Sequence, residues 1–251
     1  MKRRDFMKYT SLIIPAISAP RLALADDAEL IVGCNTSFLP FEFKQGDHYA
    51  GFDIDLWAEI AKGIDRKWRL QPMDFAGLIP ALQTRNIDVA LAGLFIKDSR
   101  KQVIDFSDPY YVSGLSAVVQ KSNTNIRGVA DLSGKTIGTE TGNVAVDYMK
   151  RNIKDAQVQT YPDINSALLA LEAARIDAVI FDTPSLLYYT HTAGSGKARM
   201  IEPPLNSGDY YGIGFQKGSS LVAPANAQLA SMKADGRYKT LYRKWFGQDP
   251  V

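Results

Sequence analysis

Two stretches of this chain carry one signature. Ala81-Leu-x-x-x-Asn-Ile-Asp88-Val-Ala aligns without a gap on Ala170-Leu-x-x-x-Arg-Ile-Asp177-Ala-Val. Each reads as the end of a helix, a tight turn and a short buried strand. A chain that builds this unit twice is expected to fold as two similar α/β lobes. Carrying the register forward sets Ala92-Gly93 of the first unit against Phe181-Asp182 of the second. Ligands of open α/β sheets sit beyond the carboxyl ends of the strands, so both pairs should face one crevice.

The remaining segments keep the rhythm. Strands are predicted at 30–33, 68–70 and 87–92, with helices at 54–62 and 77–83 between them. Asp53 reads as the N-cap of the first helix and Gly63 as its stop. Phe41-Glu-Phe43 and Tyr49-Ala-Gly-Phe52 flank a turn signal as two short extended segments. A second set follows: strands at 116–120, 136–139, 158–160 and 177–180, a helical turn at 129–134, and helices at 144–152, 164–174 and 184–189. Ser107-Asp-Pro-Tyr-Tyr111 and Asn206-Ser-Gly-Asp-Tyr-Tyr211 share turn formers and a Tyr-Tyr pair, and are predicted to be the two extended strands of a hinge. That division puts 26–110 with 211–251 in lobe 1 and 111–210 in lobe 2. Two helices, 224–234 and 238–246, close the chain.

Within 251 residues of ordinary globular composition, the formal charge of +2 is misleading. Residues 1–25 hold Lys2, Arg3, Arg4, Lys8 and Arg21 against Asp5 alone, so the remainder is near −2. Such a body offers no electrostatic footprint for nucleic acid. Arg3-Arg4-Asp5-Phe6-Met7-Lys8, a short apolar stretch and Ala23-Leu24-Ala25 read as an export signal of twin-arginine-like type, cleaved near Ala25. The product is expected in the periplasm. Cys34 is the only cysteine and the chain has two histidines, which leaves no basis for a disulfide, a metal centre or a His-based triad. The sequence contains no P-loop, dinucleotide fingerprint, zinc-protease helix or nucleophile elbow. No cofactor is expected.

Val89 to Ala92 is a short apolar run that opens at Gly93, where the lack of a side chain lets a ligand approach the backbone. Arg100 follows, a planar fork suited to a carboxylate. On residue type alone Arg100 is equally a solvated loop arginine. Asp182, before Thr183-Pro184, is equally a helix N-cap, and Phe38 and Phe75 are equally core residues.

Several segments together resemble a known family: Phe38-Leu-Pro-Phe-Glu-Phe-Lys-Gln-Gly-Asp47, Gly51-Phe-Asp-Ile-Asp-Leu-Trp57, Pro72-Met-Asp-Phe75, Ile79-Pro-Ala-Leu-Gln-Thr84, Asp88 to Tyr111, and Tyr242-Arg-Lys-Trp-Phe-Gly247. They are similar to the periplasmic polar-amino-acid-binding proteins of ABC importers, solute-binding protein family 3, with the glutamine binders as the nearest pattern. The resemblance spans nearly everything after residue 28. It implies a two-lobed α/β clamshell with two hinge strands, acting as a monomer that closes on a free amino acid and delivers it to a membrane permease. It implies that Arg100 clasps the ligand α-carboxylate, Asp182 takes the α-ammonium, Phe38 and Phe75 sandwich the side chain, and Ala92-Gly93 meet the zwitterion with backbone groups.

The departures concern specificity. Phe95 stands where glutamine binders have a hydroxyl, Glu140 where they have a lysine, Phe181 where they have a histidine, Asn35 where they have an aspartate and Val144 where they have a glycine. A larger apolar or a cationic side chain would suit this set better than glutamine. Cyclohexadienyl dehydratases resemble the same binders, so an enzyme using Glu140 as its cleft acid is the rival expectation, although the dehydratase acid aligns near Ala145. A receptor sensor domain is a third, which the chain's end at Val251 without a second membrane segment disfavours.

Overall fold

The computed structural model describes residues 29–250, and the expected export signal lies outside them. The repeated segments occupy matching places in two five-stranded sheets. In the first, the strand order is Trp68–Pro72, Leu30–Cys34, Val89–Leu91, Gly214–Gln216, Ile104–Phe106. In the second it is Gln157–Tyr161, Thr136–Glu140, Ala178–Asp182, Leu115–Gln120, Ala198–Ile201. The first three strands of each run parallel, and the fourth pairs antiparallel with the third. This is the two-lobed α/β architecture.

The echo between the lobes has a hydrogen-bond cause. Asp88 accepts the Ile31 N–H on its carboxylate at 2.8 Å, while its own N–H donates to the Ile31 carbonyl at 2.8 Å. Asp177 does the same with Thr136, again at 2.8 Å for both bonds. Each aspartate therefore locks the start of its strand to the neighbouring parallel strand and fixes the register. The preceding turns match too, with Arg85 at φ 60° and Ala174 at φ 54°. Gly33 and Gly138 sit at equivalent strand positions, where a Cβ would lie 2.5 Å from the Ile87 and Ile176 side chains respectively.

Two crossings join the sheets. Tyr111–Ser113 pairs antiparallel with Asp209–Tyr211, so that Tyr111 faces Tyr211. The pair rests on a buried aromatic cluster: Tyr111 stacks on Tyr211 at 5.5 Å and on Tyr242 at 5.6 Å, and Phe41 meets both Tyr111 and Tyr211 edge-on. The closing helices, Val222–Asp235 and Arg237–Phe246, pack on the helix Phe52–Gly63 and are separated by Gly236 in the left-handed conformation. Rings wedged under both crossing strands give them a firm seat on one lobe.

Three expectations need correction. Asp53 does not cap its helix: Gly51 holds the N-cap position, and Asp53 lies buried in the first turn with its carboxylate turned to Gly93 and Tyr110. Gly63 is the last helical residue rather than the stop, and the chain reverses at Asp65 with φ 54°. Arg100 is on a four-residue helix, Asp98–Lys101, rather than in open loop. Strands Ile104–Phe106 and Ala198–Ile201 carry no sequence mark because both are short edge strands, partly buried and interrupted by Asp105 or Arg199.

Candidate functional site

The wall on the first lobe begins where strand Val89–Leu91 ends. Gly93 adopts φ +51°, and a Cβ there would lie 2.4 Å from the Phe38 ring. Phe38 belongs to the short strand Ser37–Phe38, is stacked on Phe41 at 4.9 Å and meets Phe181 of the other lobe edge-on at 5.7 Å. Glycine is required here on two counts, conformation and contact. Gly93→Ala should therefore displace Phe38, lower the melting temperature and weaken ligand binding at least about ten-fold in calorimetry, from strain of roughly 1–3 kcal/mol.

Arg100 sits over the Phe75 ring, with its guanidinium carbon 5.5 Å from the ring centroid. Phe75 is the first residue of helix Phe75–Gln83. Nη1 of Arg100 donates to the Phe95 carbonyl at 3.1 Å, and Nη2 reaches across the cleft to the Gly142 carbonyl at 3.2 Å. The fork keeps further donors for a ligand, since a guanidinium carries more N–H groups than these two bonds use. The Phe95 ring is buried against Tyr211, with centroids 4.9 Å apart.

On the opposite lobe, strand Ala178–Asp182 ends in Phe181 and Asp182. Asp182 occupies the N-cap position of helix Thr183–His191, yet its side chain makes no capping bond. Oδ1 accepts from Asn143 Nδ2 at 2.9 Å, and Oδ2 accepts from the Tyr211 hydroxyl at 2.6 Å. Burial pushes the carboxyl up to about 6, while the Tyr211 and Asn143 bonds and the charge of Arg100 pull it down. Asn143 and Tyr211 are site residues that the sequence reading missed. Asn143 lies beside Val144 in a loop already marked as specific, and Tyr211 carried a mark only as part of the hinge.

Glu140 is the last residue of strand Thr136–Glu140 and is 1% exposed. Across the cleft, Asn35 Nδ2 donates to Oε1 of Glu140 at 2.7 Å. Oε2 is buried and has no hydrogen-bond partner among the described residues. Burial pushes this carboxyl up to about 8 against the lowering effect of the Asn35 bond. The strand ends of both lobes thus bring together Asn35, Phe38, Phe75, Ala92, Gly93, Phe95 and Arg100 on one side and Glu140, Phe181 and Asp182 on the other. The lobes are closed on each other through the bonds of Asn35 and Arg100. An arginine fork and an aspartate on opposite walls of a desolvated crevice can pair both charges of a zwitterion, which is the condition for burying one.

Residues 30–248 match the family model of bacterial extracellular solute-binding proteins, family 3. The chain belongs to this family. Among curated family members, the L-cystine-binding protein TcyJ of Escherichia coli (strain K12) is 32% identical over 223 residues, 88% of this chain and 83% of that protein. An ancestral arginine-binding protein solved with arginine superposes with a TM-score of 0.81 at 38% identity, covering 87% of this chain and 98% of that one. Its complex with glutamine gives 0.82 at 39% identity, covering 88% and 98%. The ancestral amino acid-binding protein AncCDT-1, a precursor of cyclohexadienyl dehydratase, gives 0.78 at 32% identity, covering 87% and 95%. These relatives differ in ligand while sharing the fold, so membership of family 3 sets the architecture and leaves the pocket chemistry to the individual chain.

Proposed function

We propose that the protein is the substrate-binding component of an amino-acid ABC transporter and that its ligand is a cationic amino acid. The observation that carries the ligand assignment is Glu140: a buried carboxyl at the strand end, with one oxygen held by Asn35 and the other without a hydrogen-bond partner among the described residues. A buried acceptor without a partner is costly, and a guanidinium or ammonium group on the ligand supplies both the missing donor and the missing charge. With Arg100 assigned to the α-carboxylate and Asp182 to the α-ammonium, a neutral apolar side chain would leave Glu140 protonated with its Oε2 still without a partner, whereas a cationic one pairs with the ionised carboxylate. Phe38 and Phe75 would hold the aliphatic stem between them, and Ala92-Gly93 would meet the zwitterion through the backbone. The ancestral arginine-binding relative is found with arginine and with glutamine bound, so it favours neither ligand, and the choice rests on Glu140, for which a glutamine-specific site would lack a reason.

The same proposal takes residues 26–110 with 211–251 as one moving body and 111–210 as the other, turning on the paired strands at Tyr111 and Tyr211. The ligand bridges the two and favours the closed form by its differential affinity. An exported monomer that docks on a membrane permease completes the role. A thermal-shift screen against free L-amino acids at pH 8 should show L-arginine or L-lysine stabilising far more than L-glutamine. Saturation near 1,000 Kd is worth about 4 kcal/mol. A sole large shift with L-glutamine would overturn the cationic assignment.

One observation favours a second reading. Glu140 keeps its proton to about pH 8, as a general acid requires. The structural relative on that side is itself an amino acid-binding protein, so the likeness speaks for binding. Elimination of water from a cyclohexadienyl acid, abolished by Glu140→Gln, would establish the enzyme instead.

A further inference from the structure

Behind the Gly93–Phe38 wall lies a second pair of acids that the ligand scheme does not use. Glu42 is 0% exposed and Asp53 is 1% exposed. Asp53 Oδ2 accepts the Gly93 N–H at 3.3 Å and the Tyr110 hydroxyl at 2.5 Å. Its Oδ1 and both Glu42 oxygens are buried without another donor among the described residues. Glu42 is the register partner of Phe38 in the small sheet. Tyr110 immediately precedes the hinge strand Tyr111–Ser113, and its N–H donates to the Tyr211 carbonyl at 3.0 Å.

Two carboxyls side by side in a dry interior cannot both ionise. The groups that set them are each other, Glu140, Asp182, Tyr110 and the Gly93 N–H, and none of these is a cation. Burial first, and Asp53 second, push the Glu42 carboxyl well above the usual range. Cys34 feels both acids, and Tyr111 and Tyr238 feel Asp53; all three are themselves pushed up, chiefly by burial, so none of them relieves the pair.

We propose that Asp53, kept as a carboxylate by a proton that Glu42 donates to its Oδ1, is a positioning residue that ties the ligand-facing Gly93 peptide to the root of the hinge. In a trans peptide the carbonyl points opposite to the N–H. Holding the Gly93 N–H on Asp53 therefore turns the Ala92 carbonyl away from the acid pair, toward the ligand. Through Tyr110 the same carboxylate holds the approach to the first hinge strand. The ligand wall and the hinge thus share one anchor, with the Glu42 proton as its fastening.

The assignment of Gly93 to the ligand wall rests on the reading above, so the test has one arm without ligand. Amide exchange at Gly93 in the unliganded protein should be at least ten-fold faster in Asp53→Ala than in the wild type. In Glu42→Gln, whose carboxamide still donates to Asp53, it should stay within about two-fold. Binding of L-arginine, followed by calorimetry from pH 6 to 10, forms the second arm. Asp53→Ala should lose at least ten-fold in affinity, while Glu42→Gln should stay within about two-fold of the wild type. Unchanged Gly93 exchange in Asp53→Ala, or equal damage from Glu42→Gln and Asp53→Ala, overturns the proposal. If wild-type protein ignores L-arginine, the ligand assignment fails while the exchange arm still decides this one. Should Asp53→Ala not fold, Asp53→Asn takes its place. That variant removes the charge, and faster Gly93 exchange is again expected.

Discussion

Arg100→Ala should yield a folded protein with no measurable amino-acid binding. The side chain lies at the cleft on a four-residue helix with no buried positions, so its loss removes no core packing. What it removes is the charged fork above Phe75 and one of the bonds that hold the lobes together, that to the Gly142 carbonyl. A ligand carboxylate drawn into this crevice would then be buried beside Asp182 and Glu140 with no cation to pair it. Leaving one partner of a buried charge pair alone costs about 3–5 kcal/mol, or a loss of roughly 10²–10³-fold or more in affinity. Arg100→Lys keeps the charge but forfeits the planar two-bond grip, and should fall between the two. Calorimetry and a melting curve check both parts. Retained affinity would show that the carboxylate is held elsewhere, and loss of the fold would show that the helix matters beyond its charge.

How far the site could be read ahead of the structure depends on the kind of signal each residue leaves. The Asp88 and Asp177 signatures were legible because a repeated register lock imposes repeated residues on both lobes, and that register alone sets Ala92-Gly93 and Phe181-Asp182 at equivalent strand ends. Arg100 takes its role from the family resemblance, since residue type alone leaves it equally a solvated arginine. Asn143 and Tyr211 left no mark of their own. Their importance comes from side chains that converge on Asp182 from distant points of the chain, which spacing along the sequence does not encode. Asp53 misled for a related reason. An aspartate before an apolar helical run reads as a cap, and local pattern carries no trace of a buried partner such as Tyr110, which approaches from the hinge. The missed edge strands follow the same logic: half-buried segments containing a charge lack the continuous apolar run that marks the central strands.

Glu140→Gln should improve the unliganded protein and damage its function, and the two effects have opposite pH signatures. In the folded chain the Glu140 carboxyl is pushed up to about 8, mainly by burial, whereas in the unfolded chain it titrates near the ordinary glutamate value of about 4.3. Between those limits the folded state holds a proton that the unfolded state has released, so stability falls as pH rises through the window. Glutamine has no such proton to lose and still accepts the Asn35 bond through its carbonyl. Near pH 8.5 the variant should therefore be more stable by about 2–4 kcal/mol and melt roughly 5–10 °C higher, with little difference near pH 4. Binding runs the other way. A cationic side chain requires the ionised carboxylate, so wild-type affinity for L-arginine should climb with pH toward about 8, with one proton released per ligand. The variant should show a flat profile, about 10²-fold weaker at its upper end, and relatively improved affinity for L-glutamine. Melting curves across pH and calorimetry in buffers of different ionisation enthalpy separate the two effects. Equal affinity for L-arginine in both proteins would remove Glu140 from the ligand. Parallel stability profiles would mean that its carboxyl is already ionised in the closed cleft, leaving the buried negative charge to be balanced by a group other than the ligand.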